Sequence, residues 1–155
     1  SGEVMTSVRA ATSLPIGAKL SPHAGDIVTI ARACHEAGAD WVTLTNTIPG
    51  TAIDLEEARP VLSAPTGGYS GPPLKPIALA CVKQVADLPI LGCGGVTTGA
   101  DVVEYLMAGA SAVSLGTIHF AEPRAGKRIR KELVRWCDAH DVRAVADLTG
   151  RAGAT

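Results

Sequence analysis

Aromatic residues are scarce in this 155-residue sequence: they make up 3% of it, although 46% is hydrophobic. A core must therefore be built from Ala, Val, Leu and Ile. Opposite charges nearly cancel, leaving a formal net charge of −1. That balance offers no broad basic surface for nucleic acid or for an anionic membrane. No apolar run reaches the roughly 18–20 residues that a membrane-spanning helix needs. The opening SGEVMTSVRAAT has no basic stretch followed by an apolar one, so it does not read as a secretory signal. Cys34, Cys81, Cys93 and Cys137 form no C-x-x-C pair and no zinc-like cluster with histidine. They read as reduced, mostly buried thiols of a cytoplasmic protein.

Glycine and proline are plentiful, at 17 and 10 residues. Apolar segments recur between them, which points to sharp strand-to-helix connections rather than disorder. Two phrases occur twice, in the same order. LPIGAKL, from Leu14, is echoed by LPILGCG, from Leu88. AGADWVTLTN, from Ala37, is echoed by AGASAVSLGT, from Ala108. Such a repeat suggests two copies of one larger unit. Ile16–Leu20, Trp41–Thr45, Ile90–Cys93 and Ala112–Leu115 are short and apolar, and suit strands buried on both faces. One helix is expected through Ile27, Ala31, Cys34 and Ala37, stopped by Gly38. A second spans Ile77 to Val85 after Pro76. A third spans Asp101 to Met107, opened by a Thr98-x-x-Asp101 cap and closed by Gly109. A fourth carries Ile129, Leu133, Val134 and Cys137. The segment 49–76 is a long Gly/Pro-rich connection, a length that is usually functional. The alternation predicts a parallel sheet with helices outside it. Pattern alone leaves open a doubly wound sheet or part of a (β/α)8 barrel, which needs about 250 residues. The former lacks its G-x-G-x-x-G at the first helix.

The strand ends carry the candidate chemistry. Gly94-Gly95 closes the Ile90–Cys93 strand, and Gly116-Thr117 closes the next one. Bare backbone amides there suit a phosphate dianion, although Gly-Gly alone also fits a tight turn. Lys19 sits in an apolar strand near its end, where an ammonium either serves a ligand or reaches out to water. Asn46 and Thr47 end the second strand, as donors to a polar planar ligand or as a turn cap. TGGYSGPPLKP, from Thr66, reads as a loop over a ligand, with Gly71 allowing close approach. His35 and His140 read as surface helix positions, and the basic run Arg124–Arg135 as a solvated helix face.

The phrases VRAATSLPIGAKLSP, EAGADWVTLTNTIPGTAID, GGYSGPPLKPIAL and PILGCGGVTTGADVVEYLMAGASAVSLGT resemble the dihydroorotate dehydrogenases, closest to the class 1 type, its NAD-linked form included. They span most of Val8 to Phe120. The resemblance implies a (β/α)8 TIM barrel of which residues 1–155 form the C-terminal half, about its last four βα units. It implies FMN as cofactor, with Lys19 against the flavin ring and Gly71 beside it. Gly94, Gly95, Gly116 and Thr117 hold its phosphate in that reading, Thr45 adds a further flavin contact, and Asn46 and Thr47 contact the pyrimidine. Dihydroorotate would be oxidised to orotate in pyrimidine synthesis. The catalytic base, a cysteine in class 1 enzymes, lies in the family on an earlier loop, and none of the four cysteines here matches it. An isolated chain of this extent is expected to be inactive. The implied partners are a second copy or a complementing N-terminal half, and an iron–sulfur/FAD electron-transfer subunit, with no nucleic acid and no membrane. Other FMN- or phosphate-binding barrels acting on pyrimidines, or a non-catalytic half-barrel, are the alternatives.

Overall fold

The computed structural model describes residues 2–153, so the outermost residues of the expected 1–155 span lie outside it. Helix α1 (Gly2–Ala11) leads into strand β1 (Gly17–Leu20), helix α2 (Ile27–Glu36) and strand β2 (Trp41–Leu44). Four short strands follow: β3 (Ile48–Gly50), β4 (Ile53–Asp54), β5 (Arg59–Pro60) and β6 (Gly67–Tyr69). A 3-10 turn at Pro72–Leu74 then opens into helix α3 (Lys75–Gln84). Strand β7 (Ile90–Cys93), helix α4 (Gly99–Ala108) and strand β8 (Ala112–Ser114) complete the alternation. Short α5 (Ile118–Ala121) and longer α6 (Ala125–Ala139) end it, with a 3-10 turn at Val145–Leu148.

Strands β1, β2, β7 and β8 form one parallel sheet in that order. The four strand segments expected from sequence are therefore the four strands of the sheet, and each is linked to the next through a helix. β3 pairs antiparallel with β6, and β4 with β5, so the long connection carries two small ribbons of its own. Helix α3 starts at Lys75, before the expected Ile77. Pro76 lies in its first turn, where its missing N–H is not needed. Helix α4 has the expected cap: Thr98 Oγ1 accepts from the Asp101 amide, and Asp101 accepts from the Thr98 amide. The thiols of Cys34, Cys81 and Cys137 are buried and unpaired, while Cys93 is half-buried. No helix among the described residues is long and apolar enough to cross a membrane.

Burial on both faces holds for β2, where Val42, Thr43 and Leu44 are all buried, but not for β1, β7 or β8. β1 alternates exposed and buried, with Ala18 and Leu20 inside and Gly17 and Lys19 outside. Helices α2, α3 and α4 pack on one face, against Ala18, Leu20, Val42, Leu44 and Ile90. On the other face Lys19, Thr43, Leu91 and Ala112 stand in register, with Lys19 and Ala112 exposed and Leu91 half-buried. Thr45 and Leu115, expected as strand ends, fall just outside β2 and β8. On α6 the apolar face is narrower than expected: Ile129 and Cys137 are buried, but Val134 is half exposed. Helix α1 has no counterpart in the sequence reading. It is held by Arg9, which donates to the Gly38 carbonyl and pairs with Asp40 at 2.6 Å.

Candidate functional site

A cleft opens at the C-terminal ends of the parallel strands, where strand-to-helix loops leave the sheet. It is lined by Lys19 from β1, Thr45, Asn46 and Thr47 after β2, Gly71 before α3, Gly94 and Gly95 after β7, and Gly116 and Thr117 after β8. All nine residues singled out from sequence converge there. Ser70 and Leu74, from the stretch expected to cover a ligand, line it too, as do Cys93 and Val96, which the sequence had given no site role. Cys93 carried a signal in hindsight: alternation from buried Ile90 and Gly92 puts it on the open face. His119, His35 and His140 are not among the lining residues. The volume within the cleft is about 110 Å³. That has room for a phosphate group but falls short of the roughly 300–1,000 Å³ of a complete small-molecule pocket.

Lys19 is an exposed side chain, not a buried ammonium, so it bears no desolvation cost. No ion pair among the described residues involves it. The Asn46 side-chain oxygen accepts from the Thr47 amide at 2.9 Å, which leaves its NH2 as the group free to serve a ligand. A cis peptide joins Leu44 to Thr45. Thr45 is buried, and its hydroxyl has no hydrogen-bond partner among the described residues. An unpartnered buried hydroxyl beside a cleft calls for a partner, and a water or ligand group is one that would supply it.

The glycine turn explains why two bare residues follow β7. Gly94 and Gly95 have φ of +137° and +68°, a backbone that side chains disfavour. A Cβ on Gly95 would also lie 2.7 Å from the Gly71 carbonyl oxygen and 2.9 Å from the Lys75 amide nitrogen. The turn and the Gly71 loop therefore touch backbone to backbone. Before Gly116 there is open space: a Cβ there meets nothing within 4 Å. The amides of Gly94, Gly95, Gly116 and Thr117 donate to no backbone acceptor among the described residues. Four unclaimed N–H groups at two adjacent strand ends are a candidate cradle for an anion.

Polar side chains behind the cradle hold it in place. Asp101 accepts from the Thr97 and Thr98 amides at 2.8 Å each, and its other oxygen pairs with Lys75 at 2.6 Å. Burial pushes the Asp101 carboxyl up, but the hydrogen bonds from Lys75, Thr97 and Thr98 outweigh it and hold the group at about 2. Arg128 is no solvated helix position. It bridges Glu122 and Glu132 and also donates to the Thr97 carbonyl. Glu132 in turn accepts from the Gly99 amide. The stretch after β7 and the stretch after β8 are thus tied to α6 by one guanidinium.

A sequence model of the dihydroorotate dehydrogenases matches residues 1–136. The chain belongs to the dihydroorotate dehydrogenase family. A dihydroorotate dehydrogenase B (NAD(+)) catalytic subunit from Pelobacter propionicus is 46% identical over 152 residues, which cover 96% of this chain and 50% of that protein. Proteins of the same name from Geobacter sp. strain M21 and Shouchella clausii are 46% and 42% identical over 151 residues. The chain spans about half the length of these dihydroorotate dehydrogenase relatives. A cleft with the volume of a part-site agrees with that extent.

Proposed function

We propose that this chain forms the flavin-phosphate end of a dihydroorotate dehydrogenase, as the last four βα units of a (β/α)8 barrel. FMN is its cofactor and dihydroorotate its substrate, with orotate as product. The observation that carries this reading is the cradle of unclaimed amides at Gly94, Gly95, Gly116 and Thr117, set beside Lys19 and the unpartnered Thr45 hydroxyl. Those groups fit a phosphorylated flavin, and FMN when bound supplies the redox chemistry by accepting hydride. The residues of this chain bind and orient. The cradle takes the phosphate by hydrogen bonds and partial positive charge. Lys19, unpaired and facing the cleft, offsets negative charge that gathers on the flavin ring. Asn46 and Thr47 present polar groups to the pyrimidine, and the Gly71 loop borders the flavin. Among the described residues that line the cleft there is no histidine or carboxylate, and the family's base is a cysteine on an earlier loop than Cys93, so the group that takes the substrate proton is assigned to a segment matching the other half of the relatives.

The name shared by the relatives, an NAD-linked catalytic subunit, supports an iron–sulfur/FAD electron-transfer subunit as partner. The open sheet face, with Lys19, Leu91 and Ala112 on it, supports pairing with a complementing half or with a second copy. Free thiols support a reducing, cytoplasmic setting.

The test is a flavin-fluorescence titration with FMN and with riboflavin, which lacks only the phosphate. FMN should bind at least about tenfold more tightly. Gly116→Asp puts a carboxylate into open space, and it should remove that preference while leaving the melting temperature unchanged. Equal affinity of the wild-type chain for both flavins would refute the phosphate assignment. The chain alone should give no measurable dihydroorotate turnover.

A further inference from the structure

Tyr105 of α4 is fully buried against β7, and Gly92 makes room for it. A Cβ on Gly92 would lie 2.5 Å from the Tyr105 ring, so the ring occupies the space in front of that residue. Its hydroxyl donates to the Gly94 carbonyl at 2.6 Å.

The internal repeat supplies a control. Ala39 donates to the Cys34 carbonyl as Ala110 donates to that of Tyr105. Asp40 donates to the Ile16 carbonyl as Ser111 donates to that of Ile90. Cys34 and Tyr105 therefore hold equivalent places, as do Ala18 and Gly92. The first unit fills this part of its core with two small residues, Ala18 and Cys34, both buried. The second uses no side chain and a large one, Gly92 and Tyr105. Packing at this place does not require a hydroxyl, yet the second unit buries one and aims it at the glycine turn.

We propose that Tyr105 is a positioning residue for the phosphate cradle: by holding the Gly94 carbonyl against the core, it turns the Gly95 N–H toward the cleft. The inference rests on the phosphate reading above. The Gly94–Gly95 peptide is trans, so its N–H points opposite to its carbonyl. Both residues are glycine, and that plane has little local hindrance to turning over. Turned over, it would present a carbonyl oxygen where the anion sits. The hydroxyl stays a donor at any ordinary pH, because burial, with the neighbouring acidic groups, pushes the phenol well above its usual range.

Tyr105→Phe removes the hydroxyl and keeps the ring. FMN affinity should fall about tenfold, and riboflavin affinity should stay within about twofold. A merely structural role would weaken both flavins alike, or neither, and that result overturns the inference. Wild-type chain that binds FMN no better than riboflavin would remove the phosphate reading and this inference with it. Wild-type chain that prefers FMN, with the same preference retained in Tyr105→Phe, would leave the phosphate site standing and refute the role of Tyr105. A second measurement needs no variant. In 15N-labelled wild-type chain the Gly95 amide resonance should move with FMN and not with riboflavin, and a Gly95 resonance unmoved by FMN refutes the inference even where the variant fails to fold.

Discussion

Replacing Asp101 by Asn should destabilise the chain by about 2 kcal/mol at neutral pH, because the carboxyl is held near 2 against an ordinary value of 3.8. That difference is the extra stabilisation of the ionised group in the folded state. Asp101 is buried and the Lys75 side chain is three-quarters buried, so solvent screening removes only part of it. An asparagine retains one acceptor oxygen but loses the charge that Lys75 meets. For a chain of this size the loss corresponds to a melting temperature lower by about 4–8 °C. The sign with pH is fixed. A depressed carboxylate stabilises the fold above its unfolded pKa, and that contribution is lost as pH falls through the folded value. The gap between wild type and Asp101→Asn should therefore be full at pH 7, about half by pH 3 and nearly gone at pH 2. Urea unfolding of both proteins across that range measures it. A gap that stays constant down to pH 3 would refute the electrostatic account and leave only a lost cap.

Gly95→Ala should cost more than about 2 kcal/mol, since the positive φ alone costs about 1–2 and the added Cβ meets two backbone atoms; unchanged urea unfolding would show that the turn can relax. Arg128→Leu should speed amide exchange at Thr97–Gly99, where the guanidinium and its partner Glu132 hold the backbone, and Arg128→Lys should not restore protection because an ammonium cannot span both carboxylates. Exchange at wild-type rates in Arg128→Leu would mean that Thr98 and Asp101 suffice to hold that segment.

The alternation of strands and helices was legible because each helix that covers the sheet shows its apolar stripe and each strand its apolar run. Helix α1 was not, since Met5 is its one buried residue while Val4 and Val8 are exposed. Such a helix has no stripe to read. The ribbons β3–β6 escaped for a related reason: residues such as Ile48-Pro49-Gly50 and Gly67-Gly68-Tyr69 pair through backbone and do not alternate. The partial exposure of the second sheet face was hidden as well, because Leu91 and Ala112 are apolar whether or not anything covers them. Eight of the nine cleft residues were legible because each ends a strand or interrupts a loop with a residue type that packing does not need there, while Thr45 came only from the family resemblance. Arg128 was missed because its partners, Glu122, Glu132 and the Thr97 carbonyl, come together only in the folded chain.

Register decides why Lys19 belongs to the cleft. Strand side chains alternate with period two, so fixing Ala18 and Leu20 against α2 leaves Lys19 no face but the open one. Parallel pairing with β2 then aligns Lys19 with Thr43, and β2 with β7 aligns Thr43 with Leu91. One residue further along the same face of β7 comes Cys93, and after it the glycine turn. The ammonium and the amide cradle are thus placed on one side of the sheet by core residues that touch neither. A one-residue slip of β1 would bury Lys19 among α2 side chains and turn Leu20 outward, at a cost of several kcal/mol for the ammonium alone. The apolar pair that holds the helix is therefore also what aims the charge, and sites of this kind need no dedicated scaffold beyond the register of the strand that carries them.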